Sequence, residues 1–308
     1  MITTLPLFLD YLVEQDRSEL TVSSYKSDLI DFMNWFEKSN QKPAQSTTVT
    51  PLDLRAYRNY MQKERQLKPS SVNRHLAALR SYFNWAYDTG RIVSNPTIGI
   101  KSIRSSRRAP KWLNRSECFA LLRTAAESIQ LSEVKELTSS TQQAVRDQAI
   151  VALLLHAGLR VSELCALQLP DVKIRSRSGW VIIRFGKGRK YREVPLNKDC
   201  RKAVDLWLSV RPLDEQDYLF TGRRNSWLKP RGVQRLVKKL AEKARLGDKQ
   251  VTPHTLRHTF GKNLVDTGVS LDRVAMLLGH ESLDTTAIYT TPSRADLAAA
   301  VEQIAWQD

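Results

Sequence analysis

The stretch NPTIGIKSIRSSRRAPK, residues 95–111, constrains the fold more than any other part of the chain. It holds two prolines, a glycine and five basic residues, and no acid. Proline and glycine punctuate regular structure, and a basic run of this kind is a linker composition. A chain of 308 residues broken at that point is expected to form two domains, each with its own core. We expect a helical domain over residues 1–100, a basic linker over 101–111 that can track a phosphate backbone, and a second domain over 112–308.

The first hundred residues carry helical periodicity. Tyr25, Leu29, Phe32 and Phe36 fall on one stripe, as do Val72, Leu76, Leu79 and Phe83. Thr50 followed by Pro51 is a helix start, and Gly90 is a helix stop. With the N-terminal segment these make a bundle of about four helices. The second half is mixed. RDQAIVALLLHAG reads as a buried helix ending at Gly158, and GWVIIRF and YREVPL as two strands of a hairpin around GKGRK. After Pro212 the pattern is helical again, roughly over 229–245, 253–266, 271–278, 283–290 and 294–305. The fold class expected is therefore mainly α: a helical bundle, then a mostly helical domain carrying a small antiparallel sheet. Residues 126–147 have no evident purpose.

Charge narrows the function. Forty-eight Lys and Arg against thirty-two Asp and Glu leave +16, a field that favours a polyanion, most simply nucleic acid. No apolar run reaches membrane-spanning length, and the N-terminus lacks the basic start of a secretory signal. Cys118, Cys165 and Cys200 are scattered without metal spacing, which suits a reducing cytoplasm.

The chemistry-bearing residues lie in the second half. Thr252 caps a helix that begins at Pro253 and places His254 in its first turn, with Arg257 three residues on. A helix N-terminus with two cationic side chains is a site for an anionic oxygen. Gly279 ends a short helix opened by Ser270 and throws His280 out beyond it. Ser282 caps the next helix, which carries Tyr289 and is bounded by Pro292. In AGLRVSEL, Arg160 lies in the connection after Gly158, Ser162 is the expected cap of the following helix, and Glu163 is near enough to orient the arginine. Lys187 tops the hairpin, inside a span from Lys173 to Arg192 that holds eight Lys or Arg and no acid. Each piece alone is weak: an arginine after a glycine is commonly structural, and a single tyrosine is commonly an ordinary half-buried aromatic. His258 and His156 read as packing residues. His254 and His258 are four apart, but no glutamate of an H-E-x-x-H motif stands between them, so no metal site is expected.

In order, GLRVSEL, GKGRKYREVPL, HTLRHTF, LLGH and IYT resemble the tyrosine recombinases, or phage integrases, most closely the compact Xer-like members. The likeness runs over essentially the whole chain. It implies a DNA core-binding domain followed by a catalytic domain. It also implies that Arg160, Lys187, His254, Arg257 and His280 activate a DNA phosphodiester for attack by Tyr289, with Glu163 supporting the first arginine. The physical chemistry is compatible. Attack builds negative charge on phosphate oxygens, which fixed cations offset. Those cations also ease ionisation of a phenol, and Lys187 can protonate the leaving 5′ oxygen. No carboxylate cluster of the two-metal kind is evident, so no Mg²⁺ is required, and the covalent 3′-phosphotyrosyl link keeps the bond energy, so rejoining needs no ATP and no cofactor is expected. The family further implies a tetramer on paired sites, strand exchange through a Holliday junction, and a C-terminal helix, with Leu297, Val301 and Ile304 on one stripe, exchanged between protomers.

Double-stranded DNA is the expected partner. Asn73, Ala77, Arg80 and Asn84 form a second face of the helix near Ser71, with Arg74 beside its start, suited to a major groove. Lys68, Ser71, Asn73, Arg74, Arg80, Arg107, Arg108, Arg189 and Lys190 are the expected DNA contacts. An inactive architectural DNA-binding protein and a relaxing topoisomerase are the rival readings. The first would give no covalent adduct, and the second would relax any supercoiled plasmid.

Overall fold

A computed structural model describes residues 1, 3–104, 111–133, 139–184, 191–212, 217–222, 227–280, 282–290 and 301. The chain divides into two compact units, Met1–Arg107 and Arg108–Asp308, and the division falls inside the basic stretch.

The first unit is built from α1 (Leu5–Glu14), α2 (Glu19–Asn40), α3 (Pro51–Lys63) and α4 (Pro69–Asp88). Local chemistry sets their ends. Ser18 Oγ accepts the Thr21 N–H at the start of α2. Thr50 and Asp53 exchange bonds as a capping box at α3, a feature worth about 1 kcal/mol. Gly90 closes α4 at φ +68°, where a side chain would be strained. Both expected stripes face inward: Leu29, Phe32 and Phe36 from α2 meet Val72, Leu76, Leu79 and Phe83 from α4. Tyr57 stands edge-on to Phe32, and Phe8 edge-on to Tyr82. Burying each such ring contributes roughly 1.5–3 kcal/mol.

The second unit is built around α6 (Ser139–His156), whose run from Ala149 to Leu155 is buried. Packed on it are α5 (Arg115–Glu133), α8 (Lys198–Val210), α9 (Pro230–Lys243) and α10 (Pro253–Asp266). After α6 come α7 (Val161–Ala166) and a three-stranded antiparallel sheet in the order β1 (Val172–Ile174), β2 (Gly179–Ile183), β3 (Arg192–Pro195). Val181 pairs with Val172 on one side and Val194 on the other, so one sheet face points into the core. After α10 come α11 (Leu271–Leu278), α12 (Leu283–Thr286) and a 3-10 turn, Ala287–Thr290. No helix among the described residues is long and apolar enough to cross a membrane.

Two expectations need correction, and one open question is answered. The hairpin has a third strand, β1. Helix α8 precedes Pro212, opened by Asn197 Oδ1 accepting the Cys200 N–H and seated by Cys200, Val204 and Trp207. Residues 126–147, whose role the sequence leaves open, include the end of α5 and the start of α6, and Ile129 and Val145 join the core.

Candidate active site

Helix α10 is the platform. Thr252 Oγ1 accepts the Thr255 N–H, and Pro253 fits the first turn because it has no N–H to lose there. His254 in that turn is exposed, whereas Arg257 is 5 % exposed. Arg257 donates to the carbonyls of Gly158, at 2.7 Å, and Leu278.

Arg160 is itself the residue before α7, taking the capping position expected of Ser162. Its backbone N–H and its guanidinium both donate to Glu163, at 2.8 and 2.7 Å. Glu163 also accepts two bonds from Arg192 of β3, at 3.0 and 2.8 Å, and lies 3.9 Å from Arg257. One buried carboxylate thus holds two arginines and faces a third. Burial alone would raise the Glu163 carboxyl, but the bonds and charge of Arg192 and then Arg160 outweigh it and hold it at about 2. Burial pushes Arg257 down to about 10, with Arg160 adding to the effect.

The same three arginines converge on the end of α11. Arg192 donates to the Leu277 carbonyl, Arg257 to Leu278 and Arg160 to Gly279. The last carbonyls of a helix have no partner within it and sit at the negative end of its dipole, so they suit cations. Gly279 adopts φ +63°, and a Cβ there would lie 2.9 Å from an Arg192 nitrogen. Glycine therefore serves both the turn and the close approach.

His280 follows, its Nδ1 2.9 Å from Thr286 Oγ1. Its pKa is pushed down to about 4 by burial first and then by Arg257 and Arg160. The His280 ring stacks on Tyr289, 6.3 Å between centroids and 13° between planes. Tyr289 is 1 % exposed and its ring lies over Gly261, where a Cβ would come within 2.6 Å of Cζ. Burial raises the phenol pKa, while Arg257 and Arg160 oppose the rise. The phenol hydroxyl lies 3.0 Å from His258 Nδ1.

The structure therefore brings Arg160, Glu163, His254, Arg257, His280 and Tyr289 into one cluster. Two members were not assigned to the site from sequence. Arg192 was one basic residue among eight. His258 was read as packing, yet it bonds the phenol. Lys187, Arg189 and Lys190 lie outside the described residues, as do Arg107 and Arg108. Of the expected C-terminal stripe only Val301 is described, and it is exposed.

In the first unit, Lys68 is exposed and Ser71 half-buried. Arg74 pairs with buried Asp28 at 2.7 Å. Asn73 is not a free groove-reading side chain: it exchanges two bonds with the Ile103 backbone, at 2.9 and 2.8 Å. Arg80 donates to the Ile100 carbonyl and to Ser102. The face expected to read bases is occupied by residues 100–103 of the same unit, so the basic stretch starts as a strap on α4 rather than as a linker.

Comparison with known proteins decides the family. Residues 127–295 match the phage integrase family, and residues 5–90 match its N-terminal SAM-like domain. The chain belongs to the phage integrase family of tyrosine recombinases. Among its relatives is tyrosine recombinase XerC of Thermodesulfovibrio yellowstonii, 34 % identical over 296 residues, which span 92 % of this chain and 89 % of the relative. Tyrosine recombinase XerD of Listeria innocua is 30 % identical over 303 residues, 96 % of each chain. This tyrosine recombinase also shares its fold with XerH bound to palindromic difH substrate after cleavage (TM-score 0.76, 22 % identity, 94 % of this chain and 81 % of that one). A lambda integrase dimer bound to a core site has the same fold (TM-score 0.69, 17 % identity, 100 % and 98 %). The chain is a tyrosine-type, Xer-like site-specific recombinase.

Proposed function

We propose that this recombinase cuts double-stranded DNA by attack of Tyr289 on a phosphodiester, holds the 3′ phosphate as a tyrosyl ester, and passes it to a different 5′ hydroxyl. The observation that carries the proposal is the seat of Tyr289. Its ring stacks on His280, and Arg160 and Arg257 lie close enough to lower the cost of ionising it.

In this reading Arg160 and Arg257 hold the non-bridging oxygens of the phosphate. Their forks are fixed beforehand by Glu163 and by main-chain carbonyls, so no reorganisation is needed as charge develops. His254 and His280 stay neutral near pH 7, because partial desolvation and the two arginines depress both. Neutral imidazoles serve as hydrogen-bond donors to the phosphate without adding to the repulsion between cations. Lys187 supplies the proton to the leaving 5′ oxygen. The first unit and the basic stretch bind the duplex, as the net charge of +16 favours. The relatives bound to DNA site sequences support a duplex partner. Action within a tetramer, through a Holliday junction and with the C-terminal helix exchanged, completes the proposed cycle; it would serve integration, excision or resolution.

The test is covalent capture. Cells expressing the wild type are lysed in detergent, and DNA that stays attached to the protein is sequenced. We expect adducts at a defined site with the wild type and none with Tyr289→Phe. Adducts of equal yield from Y289F would remove Tyr289 from its role.

A further inference from the structure

The hydrogen-bond partner of the phenol is His258, a residue outside the set implied by family likeness. It lies one helical turn beyond His254, so the two share a face of α10, with ring centroids 6.3 Å apart. Its Nδ1 is 3.0 Å from the Tyr289 hydroxyl, and the ring centroids are 5.7 Å apart. The phenol ring is seated beside this partner, since His280 stacks on it and Gly261 packs so closely beneath it that not even a Cβ would fit between them. No carboxylate bonds the phenol among the described residues. We propose that His258 is the proton acceptor for Tyr289 in DNA cleavage, and the proton donor to the same oxygen when the strand is rejoined.

The step balances. With its own proton on Nε2, His258 presents a lone pair at Nδ1. The phenol proton passes to Nδ1 as the phenolic oxygen forms its bond to phosphorus. The bond from phosphorus to the 5′ oxygen breaks, and its electron pair leaves with that oxygen, which takes a proton from Lys187. In rejoining, the 5′ hydroxyl attacks and returns its proton to Lys187, while the imidazolium gives its proton back to the departing phenolate. The groups facing His258 are His254 and Arg257 on its own helix, His280 after α11, and Tyr289. Burial first, then His254 and Arg257, hold the imidazole below its usual pKa, so it is neutral and able to accept at pH 7.

This inference rests on Tyr289 being the nucleophile, and its experiment keeps the two apart. The probe is a nicked duplex of the sequence recovered by covalent capture, with adduct formation followed in a single turnover. Asparagine places an oxygen near the position of Nδ1, so H258N keeps the hydrogen bond and removes the base. We expect H258N to melt and bind as the wild type does, yet to form adduct roughly a hundredfold more slowly at pH 7. Its rate should climb steadily with pH across the range where the wild-type rate is level. A 5′-thiolate leaving group, which needs no acid, should restore Lys187→Ala but not H258N. If H258N folds poorly, added imidazole should restore adduct formation to H258A. A wild-type rate and pH profile in H258N, a faster rate, or rescue by the thiolate would overturn the inference. With Y289F inactive, those results leave the proposed function standing; adduct from Y289F would remove both.

Discussion

Glu163 carries a full charge where burial alone would neutralise it, and everything cationic in the site is arranged around that fact. Removing one partner of a buried, bonded charge cluster leaves the others uncompensated and costs about 3–5 kcal/mol. We expect Glu163→Gln to lower unfolding stability by roughly that amount, read by urea titration, and to depress cleavage as the forks of Arg160 and Arg192 loosen. Unchanged stability would mean that the carbonyls of α11 hold the arginines unaided. At this scale much of the site was legible. Arg160, His254, His280 and Tyr289 each stand beside a glycine, a cap or a boundary, but it is the likeness to the tyrosine recombinases that joins them with Glu163 and Arg257 into one set. His258 and Arg192 were not legible for opposite reasons. A histidine four residues from another on a helix has the same spacing whether it packs or bonds. Arg192 was hidden among like charges, and only strand pairing shows which of them turns inward.

Among elements, the pairing of α10 with the 3-10 turn at 287–290 depends on Gly261. A methyl group there would meet the Tyr289 ring at 2.6 Å, so the ring itself would have to shift. Gly261→Ala should keep the fold at a cost of about 1–3 kcal/mol and displace the ring from its seat. Adduct formation should drop sharply while DNA affinity, measured by fluorescence anisotropy, stays as it was. A fully active G261A would show that the ring need not lie there. Helices with both an apolar stripe and an end signal were readable, as in α4, α10 and α11. Helix α8 has its cap at Asn197, but it follows a strand so closely that the change of period was obscured. Strand β1 is three residues long, too short for alternation to register. The face of α4 misled because polar residues on a helix read alike whether they await a ligand or hold a neighbouring stretch of backbone.

For the molecule as a whole, acid is the condition that tests the packing. The chain has five histidines, and full or partial desolvation lowers the pKa of all of them, to about 4 for His75 and His280. The unfolded chain takes up these protons near the ordinary value of 6.5, before the folded one does. Stability is therefore full above about pH 6.5 and is lost as pH falls through that value toward 4. Asp28 works the other way, since burial raises it to about 6 despite Arg74, so acidification restores part of the loss in the first unit. A well-buried histidine shifted this far contributes at most about 2 kcal/mol between pH 7 and 5. We expect the thermal midpoint to be lower at pH 5 than at pH 7, and lower by a smaller margin in His280→Asn. A flat profile would mean that the imidazoles reach water more freely than their burial indicates.

The closing turn of α11 carries a consequence for how such a molecule can be silenced. Its last three carbonyls tether arginines that come from a strand, a platform helix and a loop, so these cations share one mooring. An ångström of slip there would loosen all three together, each then left to its second anchor, Glu163 for Arg160 and Arg192 and the Gly158 carbonyl for Arg257. Whatever tugs on that turn, from inside the chain or beyond it, would reach all three cations at once.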